Sequence, residues 1–205
     1  MNNTKQRSKT LRLTQLALLA AITILLTLTP LGYLKAGAVE ITFLTIPVIL
    51  GAVILGPVDG MILGAIFGLS SFARCFGMDA FGTVLAQANV YYTFILCMIP
   101  RILIGLIAGL TAKGLRKVTS IKTRVNVFKY GISSFVGTLV NTVLFLLLLI
   151  LFFGSNDAVV SKFGDLLALA IAIATFNGLI ELAVCTVLGA FIIQGVMHAK
   201  KKMRI

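Results

Sequence analysis

Long apolar segments, separated by short polar or basic connections, run along almost the whole of this chain and restrict its fold more than any single motif does. Hydrophobic residues make up 59% of the sequence and charged residues only 12%, whereas an average soluble domain has about 25% charged residues. Because several of the segments approach the ~20 apolar residues that a membrane-crossing helix needs, the sequence predicts an all-α integral membrane protein. The length of 205 residues suits a single domain.

Six transmembrane helices are predicted from the apolar segments. They cover about residues 11–29, 42–55, 59–76, 91–112, 125–153 and 165–197. The fourth helix is expected to be interrupted by Pro100-Arg101. Between helices, residues 33–41 are predicted to form a short extended lid, residues 77–90 a more polar connection, and residues 113–124 a basic cytoplasmic loop.

Residues 41–72 contain two short apolar segments joined by a tight turn at 56–60. The first, over 43–55, has only about half the ~20 residues of a straight membrane helix. The second carries Gly64 and Gly68 at the GxxxG spacing that lets membrane helices approach closely. A short helix and a turn inside a membrane protein indicate a cavity, since irregular backbone at membrane depth must be satisfied by protein or water.

Both termini are predicted to be cytoplasmic. An even number of helices places them on one side, and fourteen of the eighteen Lys and Arg residues fall on that side. The opposite side holds only Lys35, Arg74 and Lys162. Because the basic residues lie in short runs between apolar segments, they indicate orientation in a lipid bilayer, and no nucleic-acid partner is expected.

Polar side chains from three helices are predicted to meet at one depth. At about 1.5 Å of rise per residue, Arg101, Asn141 and Asn177 lie about 16–20 Å below the outer surface. Glu181 follows Asn177 on the same helix face, and charges at such depth are candidates for function. Three interpretations stay open. Arg101 pairs with Glu181 while the asparagines join helices, or these polar residues form the floor of a pocket for an anionic or strongly polar solute. In the third interpretation, Glu181 relays protons.

Three more polar residues are predicted near the outer mouth. Asn89 either caps the fourth helix or contacts a ligand, and Tyr92 belongs either to the interfacial aromatic belt or to the site. Arg74 lies on the outer side of the membrane, where the positive-inside rule predicts few basic residues. A ligand carboxylate or the lipid headgroup region must therefore accommodate its charge.

Motifs for catalysis are absent from the sequence. It contains no GxxxxGK[ST] phosphate loop and neither HExxH nor GxSxG, so ATP hydrolysis by this chain is excluded and an enzyme is not expected. Cys75, Cys97 and Cys185 form no CxxC pair, and there is one histidine. No metal site, disulfide framework or cofactor is therefore expected.

Five segments form a pattern when taken together in their order and spacing. They are Ala17-Leu18-Leu19-Ala20-Ala21, IPVILGAVILGPVDGMILGAIFGLSSF at 46–72, PRILIG at 100–105, VGTLVNT at 136–142 and FNGLIE at 176–181. With six helices in about 200 residues, this pattern resembles the substrate-binding S components of energy-coupling factor (ECF) vitamin transporters, and the resemblance covers nearly the whole chain.

The resemblance implies a protein of the bacterial plasma membrane that binds one vitamin from outside with high affinity. It implies partners: a transmembrane coupling subunit and two cytoplasmic ATPases that drive uptake. It also implies that the loop between helices one and two acts as a lid. Ala17 and Ala21 would form the contact with the coupling subunit, because small residues allow close helix approach. The alternative is ordinary packing of these alanines within the chain.

The segment SFARCFGMDAFG at 71–82 is most similar to the pantothenate group, although many relatives have an uncharged glutamine where this chain has Arg74. Pantothenate is a monoanion with hydroxyls and an amide. The predicted ligand set is Arg74, Asn89, Tyr92, Arg101, Asn141, Asn177 and Glu181. Riboflavin, and pyridoxine or a hydroxymethylpyrimidine, are alternative substrates. A membrane enzyme or a ligand-free scaffold are the alternatives of another class.

Overall fold

The computed structural model of the chain describes residues 2–29, 32–36, 39–118, 124–156, 159–160 and 178–202. The helices in these residues are α1 (Asn2–Leu28), α2 (Thr45–Ile54), α3 (Pro57–Arg74), α4 (Ala80–Ala88), α5 (Val90–Val118), α6 (Arg124–Phe153) and α7 (Leu179–Lys202). The strands β1 (Tyr33–Ala36) and β2 (Val39–Thr42) form an antiparallel hairpin. The architecture is thus all-helical, as predicted, with this hairpin as a small addition.

Four of the described helices contain a segment long and apolar enough to cross a membrane. These segments are Lys9–Leu28, Val90–Leu115, Tyr130–Phe153 and Leu179–Val196. Helix α2 is apolar but only ten residues long, about 15 Å, which confirms that the first part of 41–72 is too short to span alone. The predicted number of six spans and the cytoplasmic side of the termini stay predictions.

The structure differs from the sequence prediction at 77–90, because this connection contains helix α4. The carboxylate of Asp79 accepts hydrogen bonds from the backbone N–H groups of Phe81, at 3.2 Å, and Gly82, at 3.0 Å. This side-chain cap satisfies amide groups that would otherwise lack a partner at the helix start. A local capping signal therefore makes a helix out of a segment whose polar residues predict a loop.

The predicted interruption at Pro100-Arg101 is wrong, since α5 runs through these residues without a break. The same helix also takes up 113–118, the first part of the predicted basic loop, and residues 119–123 of that loop lie outside the described residues. The Arg101 side chain explains why the proline does not end the helix, as the next subsection describes.

Other helix boundaries also differ from the predicted ones, and one cannot be compared. Helix α1 begins at Asn2 and so includes the polar N-terminal residues. Helix α3 begins at Pro57, two residues early, because proline suits the first position of a helix and Gly56 before it has φ +124°. Residues 165–177, the first part of the predicted sixth helix, lie outside the described residues.

Helices α3 and α5 touch backbone to backbone. Gly60, Gly64 and Gly68 recur at every fourth residue of α3 and face α5. A Cβ atom on Gly64 would collide with the carbonyl group of Arg101, and one on Gly60 would lie 2.7 Å from the carbonyl oxygen of Gly105. The close helix approach predicted from Gly64 and Gly68 is thereby confirmed.

Helix α2 occupies the centre of the helix bundle. It contacts α1, α3, α5, α6 and α7, and one apolar cluster joins it to its neighbours through Val48, Ile49, Leu63, Phe67 and Ile104. Each of these side chains is almost completely buried. The short helix is thus held on most sides by protein.

The glycine contact between α3 and α5 leads to a test of stability. We expect Gly64→Ala to lower the melting temperature (Tm) of the purified protein, because the added methyl group meets backbone that cannot rotate away, and overpacking of this kind costs about 1–3 kcal/mol. The control is Gly114→Ala in α5, where an added Cβ meets nothing within 4 Å. Thermal unfolding followed by circular dichroism measures both; equal Tm values for the two variants would contradict the close contact.

Candidate ligand-binding site

The side chain of Arg101, in the middle of α5, bonds to a backbone carbonyl that the preceding proline leaves without a donor. In a regular helix the N–H of residue 100 would donate to the carbonyl oxygen of Leu96, but Pro100 has no N–H. The Nη1 atom of Arg101 donates to this oxygen instead, at 2.9 Å. The side chain of Arg101 thus supplies the hydrogen bond that Pro100 removes, which satisfies a carbonyl at membrane depth.

The rest of the Arg101 guanidinium lies between two aromatic rings. Its Cζ atom is 5.5 Å from the ring centroid of Phe67 on α3 and 5.1 Å from that of Phe145 on α6, within the range of cation–π attraction. Its Nε atom is buried and has no hydrogen-bond partner among the described residues. The positive charge is therefore supported by the rings while one donor stays available.

The predicted ion pair between Arg101 and Glu181 does not form. Both residues are described, and no carboxylate oxygen of Glu181 lies within 4.0 Å of a guanidinium nitrogen of Arg101. Of the three interpretations open at the level of sequence, direct pairing is the one that the geometry contradicts.

Glu181 instead connects helix α7 to the end of the hairpin. The hydroxyl of Thr42, the last residue of β2, donates to the Glu181 carboxylate at 2.9 Å. One turn further along α7, the Cys185 thiol lies 3.1 Å from the hydroxyl of Thr45 and 3.8 Å from the carbonyl oxygen of Thr42. The predicted extended lid is thus a hairpin whose second strand ends on a buried carboxylate.

Asn141 faces the protein interior from α6 with its amide oxygen unsatisfied. It is 8% exposed, and its Oδ1 atom has no hydrogen-bond partner among the described residues. Phe145, which contacts Arg101, follows one turn later on the same face. The structure therefore brings Asn141 and Arg101 to facing surfaces of α6 and α5, whereas Asn177, the third predicted member of this layer, lies outside the described residues.

Two residues that the sequence analysis did not single out continue this face of α6. The hydroxyl oxygens of Ser134 and Thr138 are buried and, like Asn141 Oδ1, have no hydrogen-bond partner among the described residues. Buried polar groups in proteins are nearly always satisfied by protein, water or ligand. The face from Ser134 to Asn141 therefore suits water or a polar ligand. Spacing at i, i+4 and i+7 in the sequence is the signal that could have indicated it.

The residues predicted at the outer mouth lie at helix ends. Asn89 caps α5: its Oδ1 accepts the backbone N–H of Tyr92 at 3.1 Å, which confirms the capping interpretation. The ring of Tyr92 stacks on Phe152 of α6, with centroids 4.8 Å apart. Arg74 is the last residue of α3, where a positive charge suits the carbonyl end of a helix.

Comparison with known proteins identifies relatives of this chain. Residues 11–193 match the family model described as "ECF transporter, substrate-specific component". This chain belongs to that family. It is also 31% identical over 172 residues to the pantothenic acid transporter PanT of Lactococcus lactis subsp. cremoris (strain MG1363), with 79% of this chain and 80% of that protein covered. The family and the apolar helices make it a multi-pass protein of the cell membrane.

In this S component, the two alanines that are predicted to contact the coupling subunit lie on the exposed face of α1. Ala17 and Ala21 are both exposed, next to the exposed Leu18 and Leu25. The opposite face of α1 is buried, and there the hydroxyl of Thr27 lies 3.2 Å from that of Ser70 on α3. Packing of the two alanines within the chain is therefore contradicted for the described residues, and their surface stays available to lipid or a partner.

An ion pair that the sequence analysis missed ties α1 to the start of α3. Arg12 binds the Asp59 carboxylate with two hydrogen bonds, Nε to Oδ2 at 2.6 Å and Nη2 to Oδ1 at 2.7 Å. Asp59 is buried, whereas Arg12 is largely exposed. The two residues are 47 positions apart, so no spacing rule connects them in the sequence.

The cap of α5 gives a test of the structural role of Asn89. We expect Asn89→Ala to lower the free energy of unfolding by about 1 kcal/mol, because Tyr92 N–H loses its acceptor, whereas Asn89→Ser retains a capping oxygen and most of the stability. Thermal unfolding by circular dichroism measures both. If serine proved as destabilising as alanine, the capping bond would not be what Asn89 contributes to stability.

Proposed function

We propose that this chain is the S component of an ECF importer for pantothenate, with uptake energised by ATPases on other chains. The supporting similarity is the 31% identity to a pantothenic acid transporter. The observation that carries the proposal is the Arg101 guanidinium, which is held between two rings with an unsatisfied Nε donor. Such a group suits a ligand that carries one carboxylate.

The proposed orientation has six spans and both termini in the cytoplasm, within one membrane domain. Helices α1, α3, α5, α6 and α7 supply five spans, the short α2 supplies the sixth together with the residues that flank it, and α4 lies in the connection before α5. The distribution of Lys and Arg supports this orientation. In this orientation the hairpin, Arg74, Asn89 and Tyr92 face outside, where a vitamin arrives.

The binding site is proposed to lie between α5, α6 and α7 beneath the hairpin. Arg101 attracts the carboxylate of pantothenate, and the Asn141 amide oxygen accepts a hydrogen bond from a ligand hydroxyl or amide N–H. The Arg101 Nε and the Asn141 amide oxygen are buried and unsatisfied without ligand, so binding satisfies them once the neighbouring side chains move to admit the ligand. Asn177 completes the layer in this proposal, and Arg74, Asn89 and Tyr92 line its entrance.

Glu181 is proposed to act on the ligand through the hairpin. Its carboxylate accepts the Thr42 hydroxyl at 2.9 Å, which anchors the end of β2 beside the site. A hairpin attached there can cover a bound solute and exclude water, which strengthens the charge interaction with Arg101.

A pair of substitutions isolates the role of the guanidinium. Arg101→Ala alone would leave the Leu96 carbonyl without its donor, so we combine it with Pro100→Ala, which restores the backbone N–H of residue 100. We expect Pro100→Ala/Arg101→Ala to fold and to lose about 1.5–3 kcal/mol of pantothenate binding, the contribution of a hydrogen bond to a charged group. Isothermal titration calorimetry measures the affinity.

The controls for this experiment are Pro100→Ala alone and Lys113→Ala, which removes an exposed positive charge from the same helix. Both are expected to retain pantothenate affinity. Riboflavin and pyridoxine are titrated in parallel. Binding of either of them in place of pantothenate would reject the proposed substrate, and an unchanged pantothenate affinity in the double variant would move the anion site away from Arg101.

The proposed contact with the coupling subunit is tested on α1. We expect Ala17→Leu/Ala21→Leu to reduce co-purification with the coupling subunit and ATPases and to abolish vitamin uptake, because larger side chains separate the two helices. Ligand binding by the isolated chain should stay unchanged. Ala183→Leu, at an exposed alanine of α7, is the control. Normal complex formation by the α1 variant would exclude this surface as the contact.

A further inference from the structure

Two thiols from different helices meet outside the proposed binding site. The Sγ atoms of Cys75, just after α3, and Cys97, in α5, are 4.0 Å apart. The two side chains are 4% and 5% exposed, and both thiols are free. The residues are 22 positions apart in the sequence, so the pair does not form a CxxC motif that could be recognised from the sequence.

The glycine contact between α3 and α5 is what brings the two cysteines together. A Cβ on Gly68 would lie 2.9 Å from the carbonyl oxygen of Cys97, so the helix axes are very close one turn before α3 ends. Cys75 follows Gly68 by seven residues, which is the same face of the helix. The sulfurs need to approach by only about 2 Å to reach disulfide distance, and rotation of the side chains can supply much of that.

Cys75 is buried but lies next to an exposed segment of chain. Phe76, Gly77 and Met78, which follow it directly, are exposed. On its other side lies the backbone of Gly82 in α4, where an added Cβ would be 2.6 Å from the Cys75 sulfur. The thiol also packs with Ala86 and Phe72, so a small oxidant reaches it when the short helix α4 moves away.

We propose that Cys75 and Cys97 form an oxidisable pair that a peroxide converts into an intramolecular disulfide. One thiolate attacks a peroxide oxygen and becomes a sulfenic acid as the O–O bond breaks and water leaves. The second thiol then attacks the sulfenic sulfur, the S–S bond forms, and a second water leaves. Two thiols thus lose two protons and two electrons, and hydrogen peroxide is reduced to two molecules of water.

The disulfide would clamp the segment between the two cysteines. This segment contains α4 and the α5 cap residue Asn89, so oxidation ties the end of α3 to α5 and closes a loop that contains α4 at the proposed mouth. In the orientation proposed above, this end faces outside, the side of a membrane on which disulfides persist. The chemistry itself does not depend on which vitamin the protein binds.

The experiment treats the purified full-length protein with hydrogen peroxide and then alkylates it with N-ethylmaleimide under denaturing conditions. The untreated protein has three free thiols and should take up three labels. The oxidised protein should take up one label, on Cys185. Trypsin releases residues 75–101 as one peptide that contains both paired cysteines. This peptide should be unlabelled and lighter by about 2 Da, the two hydrogens lost in disulfide formation.

Two variants and one further measurement complete the test. Cys185→Ala should retain the mass loss, and Cys75→Ala should abolish it. If Cys75→Ala does not fold, the mass of the wild-type peptide still tests whether the disulfide forms. Hydrogen exchange over 80–88 should slow on oxidation. Three labels after peroxide, oxygen added to Cys75 or Cys97 as located by tandem mass spectrometry, or a disulfide-linked dimer would overturn the proposed pair, and unchanged exchange over 80–88 would overturn the clamp. Oxygen on Met78 or Met98 of the same peptide is methionine sulfoxide and is assigned separately.

Discussion

The backbone contact between α3 and α5 is the constraint on which the rest of this structure depends. Glycines at 60, 64 and 68 remove the side chains that would otherwise separate the two helices, so dispersion forces act directly between main chains. Because the backbones touch, the contact also determines the positions of the residues beside it. The ring of Phe67 lies against the Arg101 guanidinium, and Cys75 lies beside Cys97.

Arg101 shows how a charge can be kept at membrane depth and still be available to a ligand. One of its nitrogens replaces the N–H that Pro100 lacks, and the rings of Phe67 and Phe145 stabilise the charge. Its Nε remains without a partner among the described residues. Structural and ligand-binding interpretations of a buried arginine are therefore compatible, because different nitrogen atoms of one side chain serve each.

Local signals in the sequence were informative wherever a few neighbouring residues decide the structure. The GxxxG spacing of α3 correctly predicts close helix approach, and a cap is one of the two interpretations that the sequence leaves open for Asn89. The same local rules fail where a distant or unexpected partner intervenes. Pro100 predicts a break, but a side chain repairs the missing bond. Residues 77–90 predict a loop, but the Asp79 cap starts α4, and the polarity of a short segment does not reveal such a cap.

The sequence by itself determined that the chain lies in a membrane and that it is helical, since these follow from composition and the length of the apolar segments, and its motifs carry the resemblance to its family. Only the tertiary structure decided the pairings: Arg12 with Asp59, Thr42 with Glu181, and Arg101 with Leu96 rather than with Glu181. The physical reason is that a hydrogen bond or ion pair depends on distances of a few tenths of an ångström. Those distances are set by how closely the helices pack, and for α3 and α5 by glycines that leave the backbones in contact.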